Sequence, residues 1–80
     1  MDDKTSLYDL STIRESLVLM TLKEISDALE ERGYNPINQI VGFLISNDPG
    51  YISNYKDARK KMLSLDRAEV IAILLQGILK

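Results

Sequence analysis

With 80 residues, no cysteine and no histidine, the chain holds one small domain and lacks disulfides, thiol nucleophiles, imidazole bases and Cys or His metal ligands. A net charge of -2 and a pI near 5.0 give no general pull toward phosphate backbones or anionic lipid, which disfavours nucleic acid as a partner. Neither a signal-peptide pattern nor an apolar run of membrane-spanning length occurs, so a cytoplasmic protein without membrane insertion is expected.

Residues 1–13 (MDDKTSLYDLSTI) open acidic and hydroxyl-rich, with no sustained helical period, and predict a loose arm or short extended segment, the arm reaching to about residue 15. From about Ser16, the residues Val18, Leu22, Ile25 and Leu29 follow i, i+4, i+7 and i+11, with Thr21 and Ala28 beside them. That spacing is one face of a helix. Lys23, Glu24, Asp27, Glu30 and Glu31 take its outer face, and Gly33 is the residue type that commonly follows a helix end.

Asn35 before Pro36 pairs an N-cap side chain with a proline at the first helical position, where the missing N–H costs nothing. The second helix then carries Ile37, Ile40, Val41, Leu44 and Ile45 at helical spacing, with Phe43 adding bulk on another side. Gly42 in its middle costs about 1 kcal/mol of propensity relative to alanine, which predicts that another backbone crosses closely there. Asp48 and Pro49 repeat the cap-then-proline signal, as a turn or as the start of a short helical turn through Ile52. A third helical segment is expected over about Asn54 to Leu65, with Tyr55, Ala58, Met62 and Leu65 inward and Lys56, Arg59 and Lys60 outward.

Asp66 is placed to cap the last helix, with Glu69 three residues on in the capping-box position. From Ala68 to Lys80 only Glu69, Gln76 and Lys80 are polar, and they share one narrow strip. A helix apolar nearly all round exceeds what one small domain can bury, and a second copy of the chain is the simplest cover. The expected fold is all-α: a compact bundle of four to five short helices over residues 16–80, forming an intertwined or face-packed homodimer. Ile40, Gly42, Phe43, Leu44, Ile71, Leu74 and Ile78 are assigned to its core or dimer contact.

Little in this pattern suggests catalysis. Asp27, Glu30 and Glu31 sit on an outer helix face beside Lys23 and Arg32, and a solvated charged face explains them better than acid/base chemistry. No phosphate-cradling glycine motif is present, and no catalytic residue, metal or cofactor is expected. The basic face of Lys56, Arg59 and Lys60, with Lys61 adjacent, suits either plain solvation or contact with a phosphorylated side chain. A helix-turn-helix reading is disfavoured, because the last helix lacks the Arg, Asn and Gln cluster that reads base edges. Asn35 is explained as a cap, whereas Asn38 and Gln39 are not required by it and suit a bond across a subunit contact.

The stretch "GYNPINQIVGFLISNDPGYI" at 33–52, followed by "KDAR" at 56–59, resembles the signature of the IreB family of small regulatory phosphoproteins of Firmicutes. The similarity is close over residues 33–59 and looser on both sides. The resemblance implies an all-helical homodimer that is the substrate of a PASTA-type Ser/Thr kinase and its phosphatase, acting in cell-envelope stress and cephalosporin resistance. The family's phosphoacceptor threonine lies in the N-terminal arm, and Asp3-Lys4-Thr5 matches its setting, so Thr5 is the residue carried over, with Thr12 and Ser6 as weaker alternatives. Met1 and Asp2 stand where some members carry a second threonine. Ser53-Asn54 replaces a proline and basic pair, Asn47-Asp48-Pro49-Gly50 is similar to the usual Gly-Asp-Pro-Ala, and the last helix is more apolar, without a charged tail. The partners implied are a second copy, the kinase and phosphatase, and a downstream protein. A phosphate on Thr5 would add a charge of about -1.5 to -2 to an acidic arm. It is expected either to pair with Lys56, Arg59 and Lys60, in cis or across the dimer, or to be repelled from the acidic first helix and released to a partner.

Overall fold

A computed structural model describes residues 10–79. Four α-helices and two single 3₁₀ turns account for the described fold: α1 (Leu10–Glu31), α2 (Pro36–Ser46), 3₁₀ turns at Pro49–Tyr51 and Tyr55–Asp57, α3 (Ala58–Leu63) and α4 (Arg67–Leu79). The all-α class is therefore as expected, although α1, at 22 residues, is not short.

The long first helix is the spine. Its inward stripe is the one that the spacing predicts: Val18, Ile25, Ala28 and Leu29 are buried, and Leu22 packs against them. It ends as its glycine requires. Gly33 takes φ +81°, the Gly33 N–H donates to Glu30 O (2.9 Å) and the Tyr34 N–H to Leu29 O (3.0 Å), the paired bonds of a left-handed helix stop. The other end departs from expectation. Residues 10–15, read as part of a loose arm, lie in α1. Leu10, Ile13, Leu17 and Met20 do recur at i, i+3, i+7 and i+10, but on a face other than the core's, where all four are exposed. The helical period was present, outside the stripe that marks burial.

Asn35 caps α2 with its side chain, accepting from the Asn38 N–H (3.1 Å), and Pro36 follows at the first helical position. The helix closes on Asn47 at φ 60°, whose N–H donates to Phe43 O (2.7 Å). Asp48 caps the next 3₁₀ turn, accepting from the Gly50 N–H (2.9 Å), with Pro49 at its first position. The inward face of α2 is not centred where the sequence stripe is. Phe43 is the side chain that plugs the core, flanked by Ile40 and Leu44, whereas Ile37, Val41 and Ile45 are exposed. Gly42 is explained by an aromatic ring rather than a crossing backbone: a Cβ there would lie 2.5 Å from Tyr51 Cδ1.

The third segment is broken where a continuous helix was expected. Lys56 (φ 52°) and Asp57 (φ 63°) are successive left-handed residues, a conformation that costs roughly 1–2 kcal/mol for each non-glycine. Contacts of this turn with the end of α1 hold it in place. Beyond it, Ala58 and Met62 are buried and Tyr55 and Leu65 pack against the core, as predicted. Helix α3 runs antiparallel along α1: Lys56 pairs with Glu31, Lys61 with Glu24, and Leu65 and Glu69 come beside Leu17 and Arg14.

The last helix starts after Asp66, whose backbone carbonyl accepts the first helical bond from the Val70 N–H (2.9 Å). Glu69 does not complete a capping box; its carboxylate binds Arg14 of α1. Only Val70 and Ile73 of α4 are buried. The principal extents are 47 × 23 × 19 Å, an elongated body with α4 attached along one side only.

Candidate functional site

The basic face expected to dock phosphate is largely spent within the chain. Lys56 Nζ donates to Glu31 Oε1 (2.7 Å), and the Tyr55 hydroxyl donates to Glu31 Oε2 (3.0 Å). Those bonds, first from Lys56 and then from Tyr55, hold the Glu31 carboxyl below its ordinary range, and the same pair raises the Lys56 ammonium. Arg32 stacks over the Tyr55 ring at 5.0 Å. Arg59 turns inward: its Nε donates to Pro49 O (3.1 Å) and Ile52 O (2.9 Å), tying the loop after α2 to α3. Lys61 meets Glu24 at 3.4 Å, and Lys60 is exposed. The first helix thus neutralises the face with Glu31 and Glu24, and Arg59 acts as a structural clamp.

Gln39 is also engaged within the chain, its Oε1 accepting from the Ser53 N–H at 2.9 Å, so no second subunit is needed to satisfy it. Asn38 is exposed. Arg67 reaches back to α2, donating from Nη1 to Leu44 O (2.8 Å). Among the described residues no three acidic side chains converge as a metal site would require.

What the described surface does present is apolar. Sixteen large hydrophobic residues are exposed against ten buried hydrophobics, so the chain shows more such residues to solvent than it encloses. Besides the α1 face of Leu10, Ile13, Leu17 and Met20, two faces gather several of them. One is an open groove of about 370 Å³ between α1, α2 and α4, lined by Leu19, Leu22, Ile37, Ile40, Val41, Leu44 and Leu74 with Lys23 and Ser26 at its edge. The other is the outer side of α4, where Ile71, Leu74, Leu75, Ile78 and Leu79 range from 40% to 77% exposed. Of the residues assigned to core or dimer contact, Phe43 is buried, Ile40, Gly42 and Leu44 are half-buried, and Ile71, Leu74 and Ile78 are exposed.

Sequence reasoning missed the contact between the start of α1 and α4. Arg14, 67% exposed in its side chain, binds Glu69 over a cleft of about 260 Å³ lined also by Ser11, Glu15, Ala72, Ile73 and Gln76. The period of Leu10, Ile13 and Leu17 is the signal from which Arg14 could have been placed on a helix. Thr12 lies exposed in the first turn of that helix; Thr5 and Ser6 lie outside the described residues. Among the described residues no helix is long and apolar enough to cross a membrane. The family model for the IreB regulatory phosphoprotein matches residues 3–80, from Asp3-Lys4-Thr5 through α4, and the chain belongs to that family.

Proposed function

We propose that this is a non-enzymatic, cytoplasmic regulatory phosphoprotein, phosphorylated on Thr5 by a PASTA-type Ser/Thr kinase and restored by a partner phosphatase, through which the cell-envelope stress response and cephalosporin resistance are modulated. The observation that carries this reading is the family match, which begins at residue 3 and so takes in Thr5 together with the helical body. In the forward step the Thr5 hydroxyl oxygen bonds to the γ-phosphorus of ATP, the bond to the β-phosphate oxygen breaks, and ADP and a proton leave. Hydrolysis by the phosphatase returns the hydroxyl and inorganic phosphate. Thr12 is the poorer acceptor, since offering it as an extended strand means unwinding the first turn of α1.

The working form is a homodimer. Its support is the balance of exposed against buried apolar residues: monomers rarely leave contiguous apolar surface uncovered. Phosphate on Thr5 then governs which downstream protein the dimer meets. Incubating the purified chain with the kinase and ATP should place one phosphate, on Thr5, and pull-downs with Thr5→Ala and Thr5→Glu should retain different proteins. Retention of the same set by both forms would favour a plain adaptor that uses the α1–α2–α4 groove without regulation by phosphate.

A further inference from the structure

We propose that phosphate on Thr5 is captured by Arg14, which gives up Glu69 and so loosens α4 from α1. This rests on the reading of Thr5 as the phosphoacceptor and names what the phosphate does. Distance decides which cation it meets. Five Cα–Cα steps join Thr5 to Leu10 and span at most about 18 Å when fully extended. Along α1, Arg14 lies about 6 Å from Leu10, whereas Glu31, the partner of Lys56, lies about 31 Å away. Capture by Arg14 needs no stretching. Capture by Lys56 in the same chain needs a fully extended arm laid along the helix and both side chains at full length.

Occupancy points the same way. Lys56 is held by Glu31 and by its place over the Tyr55 ring, and Arg59 by two carbonyls, so taking Lys56 undoes the turn before α3 and taking Arg59 unties the loop after α2. Arg14 has one carboxylate partner on an open surface. A phosphate dianion presents more charge than Glu69 and more acceptor oxygens to the guanidinium fork, which favours exchange. The exchange has a mechanical consequence, because α4 buries only Val70 and Ile73 and Glu69 is its ionic tie to the spine. Releasing that tie frees a helix whose outer side exposes Ile71, Leu74, Leu75, Ile78 and Leu79.

The test uses the full chain with phosphothreonine installed at position 5 by chemical ligation, so that it does not depend on the kinase. The phosphorus-31 titration should give a second phosphate pKa about half a unit or more lower in the wild type than in Arg14→Ala. Glu69→Gln, which removes the competitor, should lower it further. In hydrogen exchange, phosphate should speed the amides of residues 67–79 by roughly two- to fivefold in the wild type, the factor that losing one surface ion pair carries. In Arg14→Ala those amides should exchange fast with or without phosphate. Equal phosphate titrations in the wild type and Arg14→Ala, as would follow if Lys4 alone neutralised it, would overturn the proposal. So would exchange in α4 that ignores the phosphate. A kinase that leaves Thr5 bare sinks the acceptor reading instead, and the ligated protein still reports on Arg14.

Discussion

Single residues decide more of this fold than its periodicity does. Gly42 is the clearest case. Alanine there gains about 1 kcal/mol of helix propensity but sets a Cβ 2.5 Å from the base of the Tyr51 ring, an overlap that costs about 1–3 kcal/mol or drives the ring off α2. Gly42→Ala should therefore destabilise by about 1 kcal/mol in urea unfolding at fixed protein concentration, whereas in a Tyr51→Ala background the same change should stabilise by about 1 kcal/mol. Equal effects in both backgrounds would show that the ring is not the reason for the glycine. Arg59 is the second case. Its Nε bonds to Pro49 O and Ile52 O are charge-assisted and half-buried, so Arg59→Ala should cost about 2 kcal/mol, and lysine, lacking that Nε, should recover little of it. Loss of phosphate response without loss of stability in Arg59→Ala would return it to the docking role assigned from sequence. Caps were legible at this scale because Asn35-Pro36, Asp48-Pro49 and Gly33 are local codes. The roles of Arg59 and Gly42 were not, since each depends on residues that folding brings close.

Among the elements, the inward stripe of α1 was legible because it is amphipathic. The apolar arc of α2 is wider than the chain's own core uses, and periodicity alone did not tell Phe43's side from the side of Ile37, Val41 and Ile45. The break at Lys56 and Asp57 was hidden because neither is a glycine; what holds it is Glu31, some 25 residues upstream. That strap makes a pH prediction. Hydrogen bonds from Lys56 and then Tyr55 depress the folded-state pKa of Glu31, so its contribution is fully present above the unfolded value of about 4.3 and is lost as pH falls through the folded one. Lys56 is raised; its contribution is complete at neutral pH and fades only as pH rises through its folded value. Glu31→Gln should accordingly lower the melting temperature at pH 7 and flatten its decline below pH 4.5, and parallel curves for the two proteins would exclude the strap. Leu74, 40% exposed, borders the groove, and if the proposed homodimer forms, Leu74→Asp should unfold the protein as it dissociates, seen as helical circular dichroism lost together with dimer mass. A folded Leu74→Asp monomer would mean that the body is stable without a second copy.

At the scale of the whole molecule, the described residues pair a small core with a large apolar surface, which the proposed homodimer would cover. All-α architecture and family were readable from residues 33–59 because those residues hold the scaffold. The proposed phosphoacceptor, Thr5, lies outside them, in a stretch whose composition distinguishes it little from any acidic tail. The proposed regulation rests on that hydroxyl. Mapping phosphate by mass spectrometry on the protein isolated from its own cells, with and without the kinase, tests it most directly. Phosphate on Thr5 that disappears when the kinase is absent is the predicted result; phosphate confined to residues 10–79, or none with the kinase active, would contradict it.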